Sequence, residues 1–157
     1  MKNVEYNLLT TSQRELLQQA KLVMETAYNP YSRFYVGAAL LSRDGRIITG
    51  SNVENAAYGS TICAERSALV RANAQGVRVI SKVAVIGRGD KFDTTEVTGP
   101  CGSCRQMLYE TAQISERDLE IIMATTKMDK IVIATIGELL PLAFGPKDLG
   151  IEVKKYQ

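Results

Sequence analysis

Apolar positions at Leu16, Ala20, Val23 and Ala27 recur at helical spacing and predict a first amphipathic helix. Ser12 and Glu15 offer a capping box at its start, and Asn29-Pro30 interrupts it. The near-continuous apolar run from Phe34 to Leu41 predicts a buried strand, and Asp44-Gly45 predicts a tight hairpin into a second strand over Arg46 to Ser51. A second helix follows, with Thr61 as N-cap, good helix formers to Ala74 and Gly76 as the stop. Ser81 to Gly87 reads as a third strand, followed by a polar loop from Arg88 to Thr98. Gly99-Pro100 opens a third helix that runs to about Ile114. Leu119 to Thr125 and Ile131 to Thr135 predict two more strands. Their connection is too short for the crossover that parallel neighbours need, so they are antiparallel if paired. Thr135 and Glu138 form another capping box before a short helix that Pro141 ends.

Composition adds limits to this outline. A chain of 157 residues with 45% hydrophobic content can build one ordinary core, so a single domain over residues 1–157 is expected. A formal charge of +2 without a dense basic run gives no support to nucleic-acid binding. Neither an apolar leader nor a membrane-length apolar stretch is visible, so a cytoplasmic protein with no membrane association is expected.

The chain has three cysteines and no histidine. The odd cysteine count argues against a disulfide framework. The missing histidine rules out Ser-His and Cys-His pairs and restricts any zinc site to Cys, Asp, Glu and water. All three cysteines fall at predicted helix starts, where unpaired N–H groups and the helix dipole favour thiolates.

Cys63 and Glu65 stand two residues apart and do not share a helix face, so Glu65 is better placed beside a metal than on it. A carboxylate there can shuttle protons for an activated water. Cys101 and Cys104, one helical turn apart, can bite a single ion. Three thiolates would fill three corners of tetrahedral zinc and leave the fourth for water. On the residues alone two alternatives stay open: a closed site with a carboxylate at the fourth corner, and a thiol–disulfide Cys-x-x-Cys that leaves Cys63 and Glu65 without a role.

Cys63-Ala64-Glu65 followed by Pro100-Cys101-x-x-Cys104 resembles the zinc-dependent cytidine deaminase signature in its all-cysteine form. The similarity extends to Phe34 to Leu41, Asn52-Val53-Glu54-Asn55-Ala56, Cys101 to Gln106, Glu138 to Pro141 and Phe144-Gly145-Pro146, as in the small free-nucleoside deaminases. With the order of elements, it implies an α/β fold of three layers, α/β/α, with a mixed sheet of about five strands whose last two are antiparallel. It also implies one Zn²⁺ per subunit on Cys63, Cys101 and Cys104, with Glu65 as the catalytic proton shuttle. Substrate contacts are implied at Asn52 and Glu54 on the ribose, Phe34 against the nucleoside and backbone around Ala64 on the pyrimidine ring. Phe144 would come from a neighbouring subunit of a homotetramer with shared active sites. Arg66 would offset the net negative charge of a tris-thiolate site. The implied reaction is hydrolysis of cytidine and deoxycytidine, with a free pyrimidine nucleoside and water as partners. A relative acting on another cytosine nucleoside such as blasticidin S, and a zinc-stabilised binding module without turnover, are the alternatives.

Overall fold

The computed structural model describes residues 1–157. Its elements are β1 (Lys2–Asn3), α1 (Thr11–Met24), β2 (Phe34–Ser42), β3 (Ile47–Ser51), α2 (Ala64–Ala74), β4 (Ile80–Gly89), α3 (Gly102–Ser115), β5 (Glu120–Ala124), β6 (Ile131–Thr135) and α4 (Ile136–Leu139). The strands form one mixed sheet in the order β1-β6-β5-β4-β2-β3. Only β4 and β5 pair in parallel, and α3 supplies the crossover between them. The β5–β6 pair is antiparallel, as the short connection required.

The sheet has six strands rather than about five. The extra one is β1, which pairs with the edge of β6 through Lys2↔Ile133 and Asn3↔Val132. Two polar residues carry no apolar alternation, so only backbone pairing defines this strand.

Alternation along the strands divides the core into two layers. Ala38, Leu40, Val83, Val85 and Ile121 face α2 and α3, burying Ala64, Ala68, Ala72, Leu108 and Ala112. Ala39, Ala84, Ile86, Ile122 and Ile133 face the other way onto Leu16, Leu17, Ala20 and Met24 of α1. The expected α/β/α layering therefore follows from the two-residue period of the strands. Two glycines set how closely the helices approach. A Cβ on Gly37 would lie 1.9 Å from the Ala20 carbonyl oxygen of α1, and one on Gly50 would lie 2.4 Å from the Ala68 nitrogen of α2.

Two predicted caps move. Helix α1 is capped by Thr10, whose hydroxyl accepts from Gln13 N at 3.3 Å while Gln13 Oε1 accepts from Thr10 N at 2.8 Å. Ser12 and Glu15 are not the box. Gln13 closes it equally well with an amide oxygen, and the two overlapping patterns differ by two residues. Helix α2 is capped by Cys63 rather than Thr61, which ends the preceding 3-10 turn instead. The box of Thr135 and Glu138 forms as predicted.

Glu120 of β5 ties β4 and α1 together on one face of the sheet, accepting from Lys82 Nζ at 2.7 Å and Gln13 Nε2 at 2.9 Å. Burial works against its charge, but Lys82 and Gln13 outweigh burial and hold the carboxyl below its ordinary 4.5. A depressed carboxyl contributes stability above the unfolded pKa and loses it as pH falls through the folded one. Glu120→Gln is expected to cost about 1 kcal/mol or less at pH 7. That gap should close as pH falls from 4.5 downward, read by urea denaturation at several pH values.

Candidate metal centre

The N-termini of α2 and α3 meet on one face of the sheet, and each begins on a cysteine. Cys63 is the N-cap of α2 and Cys101 the N-cap of α3, neither side chain capping its own helix. Cys104 lies on the first turn of α3 and is fully buried. Cys63 Sγ is 3.8 Å from Cys101 Sγ, which is 3.5 Å from Cys104 Sγ, and all three lie within 4.8 Å of one another. They are the one group of three metal-ligating side chains so gathered.

This donor set fits zinc. Tetrahedral zinc with Zn–S bonds of ~2.3 Å spaces its sulfurs by ~3.8 Å, close to the separations found. Cys63 and Cys104 hold their protons unequally. A hydrogen bond from Cys104 brings Cys63 down to about 5; burial opposes this, and Arg66 and Cys101 assist it. Cys104, the donor in that pair and buried, is pushed upward. A cation at the centre would favour the thiolate at all three.

Glu65 lies on the first turn of α2 and is 3% exposed. Burial raises its pKa above the usual carboxyl value, and the charge of Cys63 adds to that. Its proton affinity is therefore raised beside the cysteines, as a proton carrier requires. Ala64 is buried between Cys63 and Glu65 as the first residue of α2. Arg66 Nη2 donates to the Thr61 carbonyl at 2.7 Å and approaches Cys63 Sγ at 3.8 Å, while its Nε is buried without a partner.

The remaining predicted residues lie at the start of β2, just after β3 and on the segment after α4. Asn52, 8% exposed, accepts from Val36 N at 2.8 Å and donates to the Phe34 carbonyl at 2.9 Å. One amide hydrogen of Asn52 is left for another acceptor. Glu54 accepts from the backbone N–H of Tyr31 at 2.9 Å and of Ser32 at 3.2 Å. Burial opposes its charge, but the Ser32 side chain and these N–H groups hold it below the ordinary carboxylate range. Phe34 is half-buried at the start of β2, and Phe144 is exposed on the segment after α4. The structure thus gathers the cysteines, Glu65 and Arg66, ties Asn52 to Phe34, and ties Phe144 through its backbone carbonyl to Gln106 of α3 while its ring stays exposed.

Several neighbours carry no sequence signal of a role. The loop from Arg88 to Thr98 bounds, with Phe34, a cleft of about 490 Å³. Asp93 bonds Thr126 and Glu96 pairs with Lys130, fixing this loop to the β5–β6 turn. Arg105 and Gln106 bond backbone carbonyls across the site helix, a role that two polar helix residues do not advertise. The larger cleft, about 670 Å³ between the end of α3 and the C-terminal tail, is lined by none of the predicted site residues.

A mixed sheet with three cysteines gathered at two converging helix N-termini defines a metal-binding α/β protein. Residues 10–117 match the family described as the cytidine and deoxycytidylate deaminase zinc-binding region. The cytidine deaminase of Halalkalibacterium halodurans is 43% identical over 134 residues, 85% of this chain and 95% of that protein. The cytidine deaminase of Mycobacterium tuberculosis is 38% identical over 150 residues, 95% of this chain and 96% of that protein. The crystal structure of cytidine deaminase from Burkholderia pseudomallei superposes with a TM-score of 0.75 at 40% identity, covering 87% of this chain and all of that one. The chain belongs to the cytidine and deoxycytidylate deaminase zinc-binding family.

Proposed function

We propose that the protein hydrolyses cytidine and 2'-deoxycytidine to uridine and 2'-deoxyuridine with release of ammonia, as a step of pyrimidine salvage. The observation that carries this reading is a buried glutamate two residues after Cys63, one of three gathered cysteines whose spacing suits zinc. It is supported by relatives named cytidine deaminase that align over most of both chains.

Cys63, Cys101 and Cys104 would hold the ion. Zinc so bound would supply Lewis-acid activation, lowering the pKa of water toward about 7. Glu65 accepts a proton from the attacking water and delivers it to ring N3, which makes C4 electrophilic. The water oxygen then bonds to C4. Glu65 next carries the remaining hydroxyl proton to the amino group, the C4–N bond breaks and ammonia leaves. Asn52 and Glu54 bind the ribose hydroxyls, Phe34 packs on the nucleoside, and backbone at Ala64 reads the pyrimidine. An ultraviolet assay of cytidine turnover beside a zinc determination tests the reading; a zinc-loaded protein that leaves cytidine intact would overturn it.

The antiparallel β5–β6 pair is the arrangement that the resemblance to the small free-nucleoside deaminases implies, and it supports free nucleosides as substrate. The charge that Glu54 retains near the sugar opposes an added phosphate. CMP is therefore expected to be turned over with a kcat/KM well below that of cytidine, and equal values would remove Glu54 from this role.

Arg66 offsets the negative charge of three thiolates around a divalent ion. Its loss should make water harder to ionise. Arg66→Gln is expected to move the rising acid limb of the kcat–pH profile to higher pH, and an unshifted limb would count against it.

Self-association into a homotetramer, in the cytoplasm, completes the proposal. Tyr28, Tyr31, Val53, Tyr58 and Ile62 are exposed around the Val53–Glu54 segment, and Tyr31 and Tyr58 stack edge to face with ring centres 5.7 Å apart. Exposed apolar groups so grouped favour a protein partner. Phe144, 61% exposed, would then reach a neighbour's nucleoside. No helix of the chain is long and apolar enough to cross a membrane.

A further inference from the structure

Three carbonyls, one just before α3 and two from the region of α4 and the segment after it, converge on two adjacent side chains of α3. Arg105 Nε donates to the Pro100 carbonyl at 2.8 Å, and its Nη1 donates to the Leu139 carbonyl at 3.0 Å. Gln106 Nε2 donates to the Phe144 carbonyl at 2.8 Å. Pro100 directly precedes Cys101, so one guanidinium spans the metal-binding turn and the end of α4. The next residue holds the segment that bears Phe144.

A separate observation places that segment against α3. A Cβ added to Gly145 would fall 2.5 Å from Cε1 of Tyr109, so the backbone lies on the Tyr109 ring. Gln106 and Tyr109 are three residues apart on α3 and share a face. Gly145 N also donates to Asp148 Oδ2 at 2.7 Å, which fixes the chain on the far side. Leu142 has φ +55 and is wholly exposed, so its own side chain does not anchor the stretch between α4 and Phe144. Its orientation comes from the bonds at Arg105 and Gln106 and from the Tyr109 seat.

We propose that Arg105 and Gln106 are positioning residues, which clamp the metal-binding turn and the Phe144 segment to the first turns of one helix. The inference deepens the proposed function, because the value of holding Phe144 rests on its role at a nucleoside. Gln106 sets where that aromatic stands and so affects substrate binding. Arg105 sets both that segment and the turn into Cys101.

The chain has no tryptophan, so Phe144→Trp supplies a single fluorescent reporter on the clamped segment. Gln106→Glu keeps the shape of the side chain and replaces its donor by an acceptor facing a carbonyl. Gln106 is exposed, so this change leaves the core intact. In the Phe144→Trp background it is expected to raise acrylamide quenching roughly two-fold or more, with zinc per subunit unchanged. In the otherwise unaltered chain it should raise KM for cytidine about 3- to 10-fold with little change in kcat, the size of one net hydrogen bond. Arg105→Gln should show the same quenching and also release zinc faster to a chelator, with Arg105→Lys partly restoring retention. Unchanged quenching in Gln106→Glu overturns the clamp. Raised quenching with a KM unaffected by both Gln106→Glu and Phe144→Ala keeps the clamp and removes Phe144 from the nucleoside site.

Discussion

Glu65→Gln is expected to lower kcat for cytidine by about 10²- to 10⁴-fold or more while zinc stays bound at one ion per subunit. Gln keeps the volume of a side chain that is 3% exposed, so packing at the start of α2 is preserved. It cannot take a proton from water and return it to the base. Because burial raises the pKa of Glu65, the carboxylate is costly there, and the neutral amide removes that cost. Thermal stability should therefore hold or rise as activity disappears. A structural glutamate predicts the reverse, a less stable protein that still turns over substrate. A zinc-stabilised binding module predicts no cytidine turnover in either form. Measuring kcat, zinc content and Tm on the same preparations separates the three.

The second large effect lies in a glycine. Gly50→Ala places a Cβ 2.4 Å from Ala68 N, 2.7 Å from Ala64 O and 2.9 Å from Ala68 Cα. All three are backbone atoms of α2, so no side chain can rotate out of the way. The helix must move outward, and Cys63 and Glu65 move with its first turn. The expected cost is about 1–3 kcal/mol or more, with faster loss of zinc to a chelator. Gly37→Ala meets the Ala20 carbonyl on the opposite face and should destabilise comparably through α1, while disturbing zinc retention less. Gly59→Ala, with nothing within 4 Å, is the control. A Gly50→Ala protein with the Tm and zinc retention of the control would show that the helix does not need this close approach.

What could be read from the sequence follows how local each determinant is. The apolar runs and the Asp44-Gly45 turn located every strand of the sheet but β1, because strands covered on both faces are written as short, near-continuous apolar segments. Ile131–Thr135 and the box of Thr135 and Glu138 came out as predicted because strand end and helix cap share one residue. The metal cluster was legible because cysteine has few other reasons to open two helices in a chain without histidine. Caps were less secure, since Thr10, Thr11 and Ser12 all offer a hydroxyl and only the helix phase decides among them. The Asn52 contacts to β2 and the reach of Arg105 to Leu139 depend on tertiary placement. No spacing rule along the chain encodes them.

The way β4 sits between β2 and β5 sets what an ion at the three sulfurs would bridge. Cys101 and Cys104 are one helical turn apart, so a cation on that pair alone would cross-link nothing beyond its own turn. Cys63 opens α2, and the backbone from it to Cys101 runs through α2, β4 and the Arg88 to Thr98 loop. A cation on all three sulfurs would therefore close a span of 38 residues, and the chain freedom that this closure removes is far larger than for the one-turn pair.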